Sequence, residues 1–426
     1  MRLSYHCSYD LWQRWAQKTW KSTCWEEMWY CHQKNWVQKV QGYHELNLWW
    51  EYCIVAYQYQ VLWEKKWLKN VGQIQVLCRQ MTTHSVLVIC GSILGCRPEM
   101  VDKIKPHKSE LHPLPAWNID ESLITGNAEV IEAINKELWL DQVPGAAEHV
   151  QFLAGDQLSI AWLHALKVIW ARHESGRNAM LWGAWIPGLF HAKIADALRT
   201  LLMHFSKPDT GSQDPNSLWY ENTHLDWLPI TITSLQPFCK CHDLLFVSLY
   251  ACVLHCLLLV SECNNLEEYL IKFTKWEDLM THTKVIFEQF KNSSCVQELQ
   301  SEDGQGDNVF ENMILFMCDA LISCEFTDVV KADDLGRVIL VLMIWTLSYQ
   351  GNGWTKYAYE MLHLIHHLSK IWPKAICSIV LKNWLVNPTG NANSFVKIDL
   401  AQEHLNYWVK VGLYMIKSFK VLMLRV

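Results

Sequence analysis

Two carboxylates stand where a chain can present them to a phosphoryl group: Asp156 in the string GDQL and Glu403 in AQEH. Asp156 follows a short apolar run closed by Gly155 and precedes a segment of helical periodicity. That pattern reads as strand, tight turn, helix, and puts the acid at the carboxyl edge where α/β sheets carry their chemistry. Phosphoryl transfer needs acids so placed, because paired Mg²⁺ ions about 3.5–4 Å apart stabilise both the attacking and the leaving oxygen, and hard Mg²⁺ prefers carboxylate oxygen. Asp156 and Glu403 are therefore the candidate metal ligands. Asp120 in NIDES is a third candidate catalytic acid, although only 35 residues separate it from Asp156. Strand-end acids joined by one from a late helix describe a ribonuclease-H-like nuclease core. The 246 residues between Asp156 and Glu403 would then be a mainly helical insertion.

Each acid also has a plainer use. Asp after Gly at a strand-to-helix turn is a good N-cap, worth ~1 kcal/mol. Glu403 lies in the early turns of a helix opened by Asp399, where the helix dipole favours a negative charge. Asp120 reads equally well as a turn or cap residue, and His191 in LFHAKIAD as a hydrogen-bonded, partly buried histidine. Other groupings are weaker. Cys239, Cys241 and His242 in CKCH lack the second ligand pair that completes a tetrahedral zinc site. His363, His366 and His367 have spacings that place ligands on one helix face, but without an H-E-x-x-H signature. Gly390 and Asn391 in NPTGNANS read as turn chemistry, since no phosphate-cradling G-x-x-x-x-G-K string accompanies them. Neither a G-x-S-x-G elbow nor a dinucleotide fingerprint occurs, so the hydrolase and dehydrogenase readings lack a motif.

The elements that must position these residues begin at Leu114, after a polar, Pro-bearing stretch. Val130, Ile131, Ile134 and Leu138 recur at helical spacing behind Asn127 as a cap, predicting a helix over about 128–140. The run 151–155 predicts a strand and 158–171 a helix. Residues 84–95 predict an earlier strand, 206–217 a loop, and 293–308 a polar surface loop. Leu244–Ser261 is an 18-residue stretch without a formal charge, at the lower limit of about 17–25 for a membrane span. Its Ser248, Tyr250 and His255, and the absence of a flanking basic cluster, favour a buried core helix. Val338–Leu347 is too short to span and reads as a second core helix.

Composition sets the class. Half of the 426 residues are hydrophobic, 19% are charged and the net charge is −6, which fits a globular chain and offers no basic stripe for nucleic acid. The 16 cysteines are scattered without a C-x-x-C pair, and the first residues lack the apolar core of a signal peptide, so reduced thiols and an intracellular location are expected. Tryptophan is anomalous: there are 24, ten of them between Trp12 and Trp67 with no helical or strand period, against nine arginines. Single C-to-T changes turn Arg codons into Trp, Cys, Gln or His codons, and all four residue types abound here. Our hypothesis is a gene eroded by directional mutation.

Several strings together carry a resemblance: LPAWNIDESLITGNAEVIEAINKELWLD, VQFLAGDQLSIAWLHALK, WGAWIPGLFHAKIADALRTLL, NGWTKYAYEMLHLIHHL and NWLVNPTGNANSFVKIDLAQEHLNYWVK. In this order, over about residues 110–410, they resemble the fungal domain of unknown function numbered six-five-eight-nine. The resemblance implies no established activity. The expected fold is α+β, predominantly helical, with a small α/β core, ribonuclease-H-like if the acids converge, and a large helical insertion. The expected organisation is a Trp-rich region 1–96, a linker 97–115, a domain 116–410 and a divergent tail 411–426. Within the domain the α/β part covers about 116–205, a helical part about 218–385 and a closing helix about 399–410. The function expected is a degraded transposase-like, Mg²⁺-dependent nuclease, nuclear and without a membrane association, with nucleic acid as partner. Its rival is a non-catalytic helical module binding nucleic acid or protein.

Overall fold

The computed structural model describes residues 103–408, apart from 146–147, 172–175, 207–216, 232–237, 274–275, 291–295 and 297–307. The expectations for 1–96, the tail 411–426 and nearly all of the loops 206–217 and 293–308 fall outside the described residues. The protein is predominantly helical with a few short strands, an α+β class. It divides into two compact units, one made of residues 196–328, the other of 103–195 together with 329–408.

The second of these units bears the sheets. Its first helix, α1 (Ile124–Glu137), begins earlier than the periodicity predicts. Asn127 does not cap it. Leu123 holds the N-cap position, and Asn127 sits one turn in, its Nδ2 donating to the carbonyls of Glu121 and Leu123. The helix stops before the exposed Leu138 because Trp139 takes a left-handed φ of 56°. Strand β1 (Gln151–Gly155), helix α2 (Gln157–Trp170) and strand β2 (Gly183–Pro187) form a β-α-β unit with the strands parallel, Gln151 opposite Gly183 and Gly155 opposite Pro187. Parallel pairing requires such a crossover, and every residue of β2 is buried, as strands covered on both faces are. Ile160, Leu163 and Leu166 of α2 pack with Ile131, Met180, Trp182 and Trp185. Helix α3 (Leu189–His204) leaves the end of β2 after the single residue Gly188.

The C-terminal half of this unit contains α9 (Leu335–Gly351), α10 (Thr355–His366), α11 (Lys374–Trp384), a hairpin of β3 (Leu385–Val386) with β4 (Val396–Lys397), and a helix over 398–408. Asn387 Oδ1 accepts the backbone N–H groups of Thr389 and Gly390, and Gly390 adopts φ 81°, so NPTGNANS is a turn as its residues predict. Two long-range hydrogen bonds tie this half to the β-α-β part: Tyr349 Oη donates to the Ala192 carbonyl at 2.7 Å, and Trp384 Nε1 to the Pro187 carbonyl at 3.1 Å. Trp345 of α9 is fully buried, in line with a core helix over 338–347.

The other unit is helical: α4 (Leu218–His224), α5 (Phe238–Ser261), α6 (Leu266–Lys272), α7 (Trp276–Phe290) and most of α8 (Asn308–Lys331). Its core gathers Leu201, Phe205, Leu249, Leu257, Ile286, Phe316 and Met317. By length and composition α5 is long and apolar enough to cross a membrane, yet Leu249 and Leu257 lie fully in this core and Val260 is half-buried. Arg199, buried among these helices, bonds Asp196 at 3.1 Å and both carboxylate oxygens of Asp319 at 3.3 Å, and His204 reaches Asp319 at 3.0 Å. Burial would raise the acid's pKa, but the guanidinium and the imidazole hold Asp319 well below the usual carboxylate range.

Among the described residues the only sheets are the parallel pair and the hairpin. The multi-stranded sheet of a ribonuclease-H-like core is not among them.

Candidate functional site

The carboxyl ends of β1 and β2 gather the titratable groups. Asp156 stands directly after β1 and caps α2, its Oδ1 accepting the Ser159 N–H at 2.6 Å. The cap anticipated from GDQL is therefore real, and it engages one of the two oxygens. Just past β2, the chain turns at Gly188 into α3, and the first N–H groups of that helix have no partner within it. Asp399, from the first turn of the 398–408 helix, supplies one. Its Oδ2 accepts the N–H of Phe190 at 2.8 Å, the N–H of His191 at 3.1 Å and the Nδ1–H of the His191 ring at 3.1 Å. A carboxylate at a helix N-terminus also meets the positive end of the dipole. Glycine is required at position 188, because a Cβ there would sit 2.7 Å from the Asp399 carboxyl carbon and 3.0 Å from its Cβ.

One turn further along the same helix, Glu403 places Oε1 4.0 Å from His191 Nε2. The imidazole thus feels three acids. The hydrogen bond to Asp399 raises the His191 pKa, burial opposes it, and the charges of Asp399, Asp156 and Glu403 raise it further. Tyr357, in the first turn of α10, faces the same group: burial, then the charges of Asp156 and Asp399, push its hydroxyl up to about 12, so it remains a neutral donor. Asp399 Oδ1 is buried and without a hydrogen-bond partner, and buried polar atoms of that kind call for a ligand, a water or an ion.

The structure brings Asp156 and Glu403 around one histidine, and adds Asp399 and Tyr357, which the sequence reading left out as site residues. Asp399 could have been found from D-x-x-x-E, since residues four apart share a helix face. Asp120 stands apart: its exposed carboxylate accepts the N–H and hydroxyl of Ser122 in the turn before α1, which lowers its pKa, and it is not among the charges acting on His191. Cys239 and Cys241 fall in the first turn of α5, one exposed and one buried, while the His242 ring stacks on Phe246. His363 and His367 lie ring to ring at 4.1 Å with His366 perpendicular to His367, so the three do not converge on one point.

The acids suit two kinds of chemistry. Asp156 Oδ2, Asp399 Oδ1 and Glu403 are oxygen donors of the type a hard divalent cation takes, although the three do not lie within 4.8 Å of one another as a ready-made metal trio, and His191 is a positioned acid or phosphate partner when protonated. No curated protein and no solved structure matches the chain. A family model does, over residues 74–418, extending beyond the quoted motifs at both ends. The chain belongs to that family, described as Family of unknown function (DUF6589).

Proposed function

We propose that the acids at the ends of β1 and β2 bind Mg²⁺ and support phosphoryl transfer on nucleic acid, the chemistry of a transposase-like nuclease with a ribonuclease-H-like core. The observation that carries the reading is the gathering of Asp156, Asp399 and Glu403 around His191 by a strand end and a helix 247 residues later. Three negative charges around one ionisable imidazole leave an excess that a cation relieves. In this reading Asp156 and Glu403 hold metal, Asp399 positions His191, and Tyr357 donates to a phosphate oxygen. The metal would supply charge neutralisation at the attacking and leaving oxygens. A nuclear location would follow.

The test is Mg²⁺- or Mn²⁺-dependent nicking of supercoiled DNA by the full chain, compared with Asp156→Asn and Glu403→Gln. Asn caps a helix as well as Asp, so Asp156→Asn removes the metal ligand and keeps the fold. Loss of one metal ligand at several kcal/mol corresponds to a fall of about 100-fold or more in rate. No nicking by the folded protein, or nicking by both variants at the wild-type rate, overturns the reading. One observation favours the rival, a non-catalytic helical module binding nucleic acid or protein: Asp156 and Asp399 each already cap a helix.

A further inference from the structure

A second group lies apart from these acids, between α2 and α10 of the sheet-bearing unit. His164 of α2 and Glu360 and His363 of α10 each offer a ligand atom, and those atoms all lie within 4.8 Å of one another. No other trio of His, Cys, Asp or Glu among the described residues does so. Glu360 and His363 are three apart, so α10 presents both on one face, and the His164 ring meets the His363 ring edge-on with centroids 4.6 Å apart.

Two polar atoms of this group lack a hydrogen-bond partner. His164 Nε2 and Glu360 Oε2 are both buried without a hydrogen-bond partner, although they lie 3.6 Å apart. That separation is too long for a hydrogen bond. It is close to the ~3.3 Å between neighbouring ligand atoms of a tetrahedral zinc site with bonds of about 2.0–2.1 Å. Glu360 is 3% exposed. A carboxyl so buried is costly as a bare anion unless it is paired, protonated or holding a cation. The surroundings fit. Lys167 is turned aside to the Gly183 carbonyl at 3.3 Å, His367 Nδ1 donates to the His363 carbonyl at 2.8 Å, and a quarter of the His164 side chain remains open to solvent.

We infer that His164, Glu360 and His363 bind one zinc-class divalent metal ion, with a fourth position open to water or substrate. Two imidazoles and a carboxylate select a first-row transition metal over Mg²⁺. This site is independent of the nuclease reading in residues and in metal.

The test uses the full chain, stripped with a chelator and titrated with Co²⁺ followed by visible absorption, and with Zn²⁺ followed by thermal unfolding. One Co²⁺ per chain with the absorption of a four- or five-coordinate ion is expected, and Zn²⁺ should raise Tm. His363→Ala and the near-isosteric Glu360→Gln should each weaken binding by more than the ~10–100-fold that loss of an outer-shell partner costs, while Cys239→Ser leaves it unchanged. Far-UV circular dichroism establishes that each variant is folded. Absence of Co²⁺ binding by the folded wild type overturns the inference. So does binding that survives both ligand substitutions, or a metal-free Glu360→Gln that is more stable than wild type, which would mark a buried acid–imidazole pair.

Discussion

Substituting Gly188→Ala tests the architecture of the acidic site without touching a titratable group. A methyl at position 188 would lie 2.7 Å from the Asp399 carboxyl carbon and 3.0 Å from the Asp399 Cβ. Turning the carboxylate aside relieves the closest contacts only by giving up its bonds to α3, and the 3.0 Å contact to its Cβ needs a further shift of a few tenths of an ångström. The rotation breaks the α3 cap, worth ~1 kcal/mol, and the charged hydrogen bond to the His191 ring, worth ~1.5–3 kcal/mol. A loss of about 2.5–4 kcal/mol lowers Tm by roughly 5–15 °C at 2–4 °C per kcal/mol for a unit of this size. The same move frees His191 from the partner that raises its pKa, so an NMR titration of the imidazole should show a fall toward the ordinary value of about 6.5. The sign for stability follows. His191 has a raised folded pKa, so its contribution is complete below about pH 6.5 and is lost as pH rises through the folded value. The gap between wild type and Gly188→Ala should therefore be widest in mild acid and narrow toward alkaline pH. An alanine variant with wild-type Tm and an unmoved His191 titration would refute the account of Gly188, Asp399 and His191 as one device.

Asp319→Ala takes from the buried Arg199 one of its two carboxylate partners and from His204 its bond, and should cost ~3–5 kcal/mol in urea unfolding. Because the Asp319 pKa is depressed, its contribution should persist down to about pH 4 and be lost as pH falls through the folded value. The mutational-erosion hypothesis gives a prediction for the coding DNA. The exposed Trp139 and Trp408 should align with arginine codons in close relatives, while the fully buried Trp345 and Trp384 should align with tryptophan codons. Tryptophan at all four positions in relatives would end that hypothesis.

The β-α-β core was legible because its signals are local: five apolar-leaning residues, a Gly-Asp turn and a helical period name their elements without help from the rest of the chain. Asp156 was found for the same reason. Asp399 was passed over because in sequence it opens its own helix, and only the return of that helix shows that it closes another one 209 residues upstream. Glu360 was missed because E-x-x-H says little alone; its third partner, His164, comes from a different helix. Asn127 was misread as a cap because its side chain does satisfy backbone carbonyls, but from inside the first turn. Helical periodicity placed α1 correctly and overran its end, since it cannot register the left-handed turn at Trp139.

The span between His191 and its partner also has a consequence in time. A ribosome adding about 5–20 residues per second needs roughly 10–40 s to travel the 208 residues from His191 to Asp399. Throughout that interval the nascent α3 has no Asp399 to bond and Glu403 has not been made. A chain released early, by a premature stop or a nick, therefore carries Asp156 without the acids that complete the cluster. Full-length synthesis is thus a condition for the cluster to form, and a truncated product would hold α3 without the carboxylate that bonds its first N–H groups and the His191 ring.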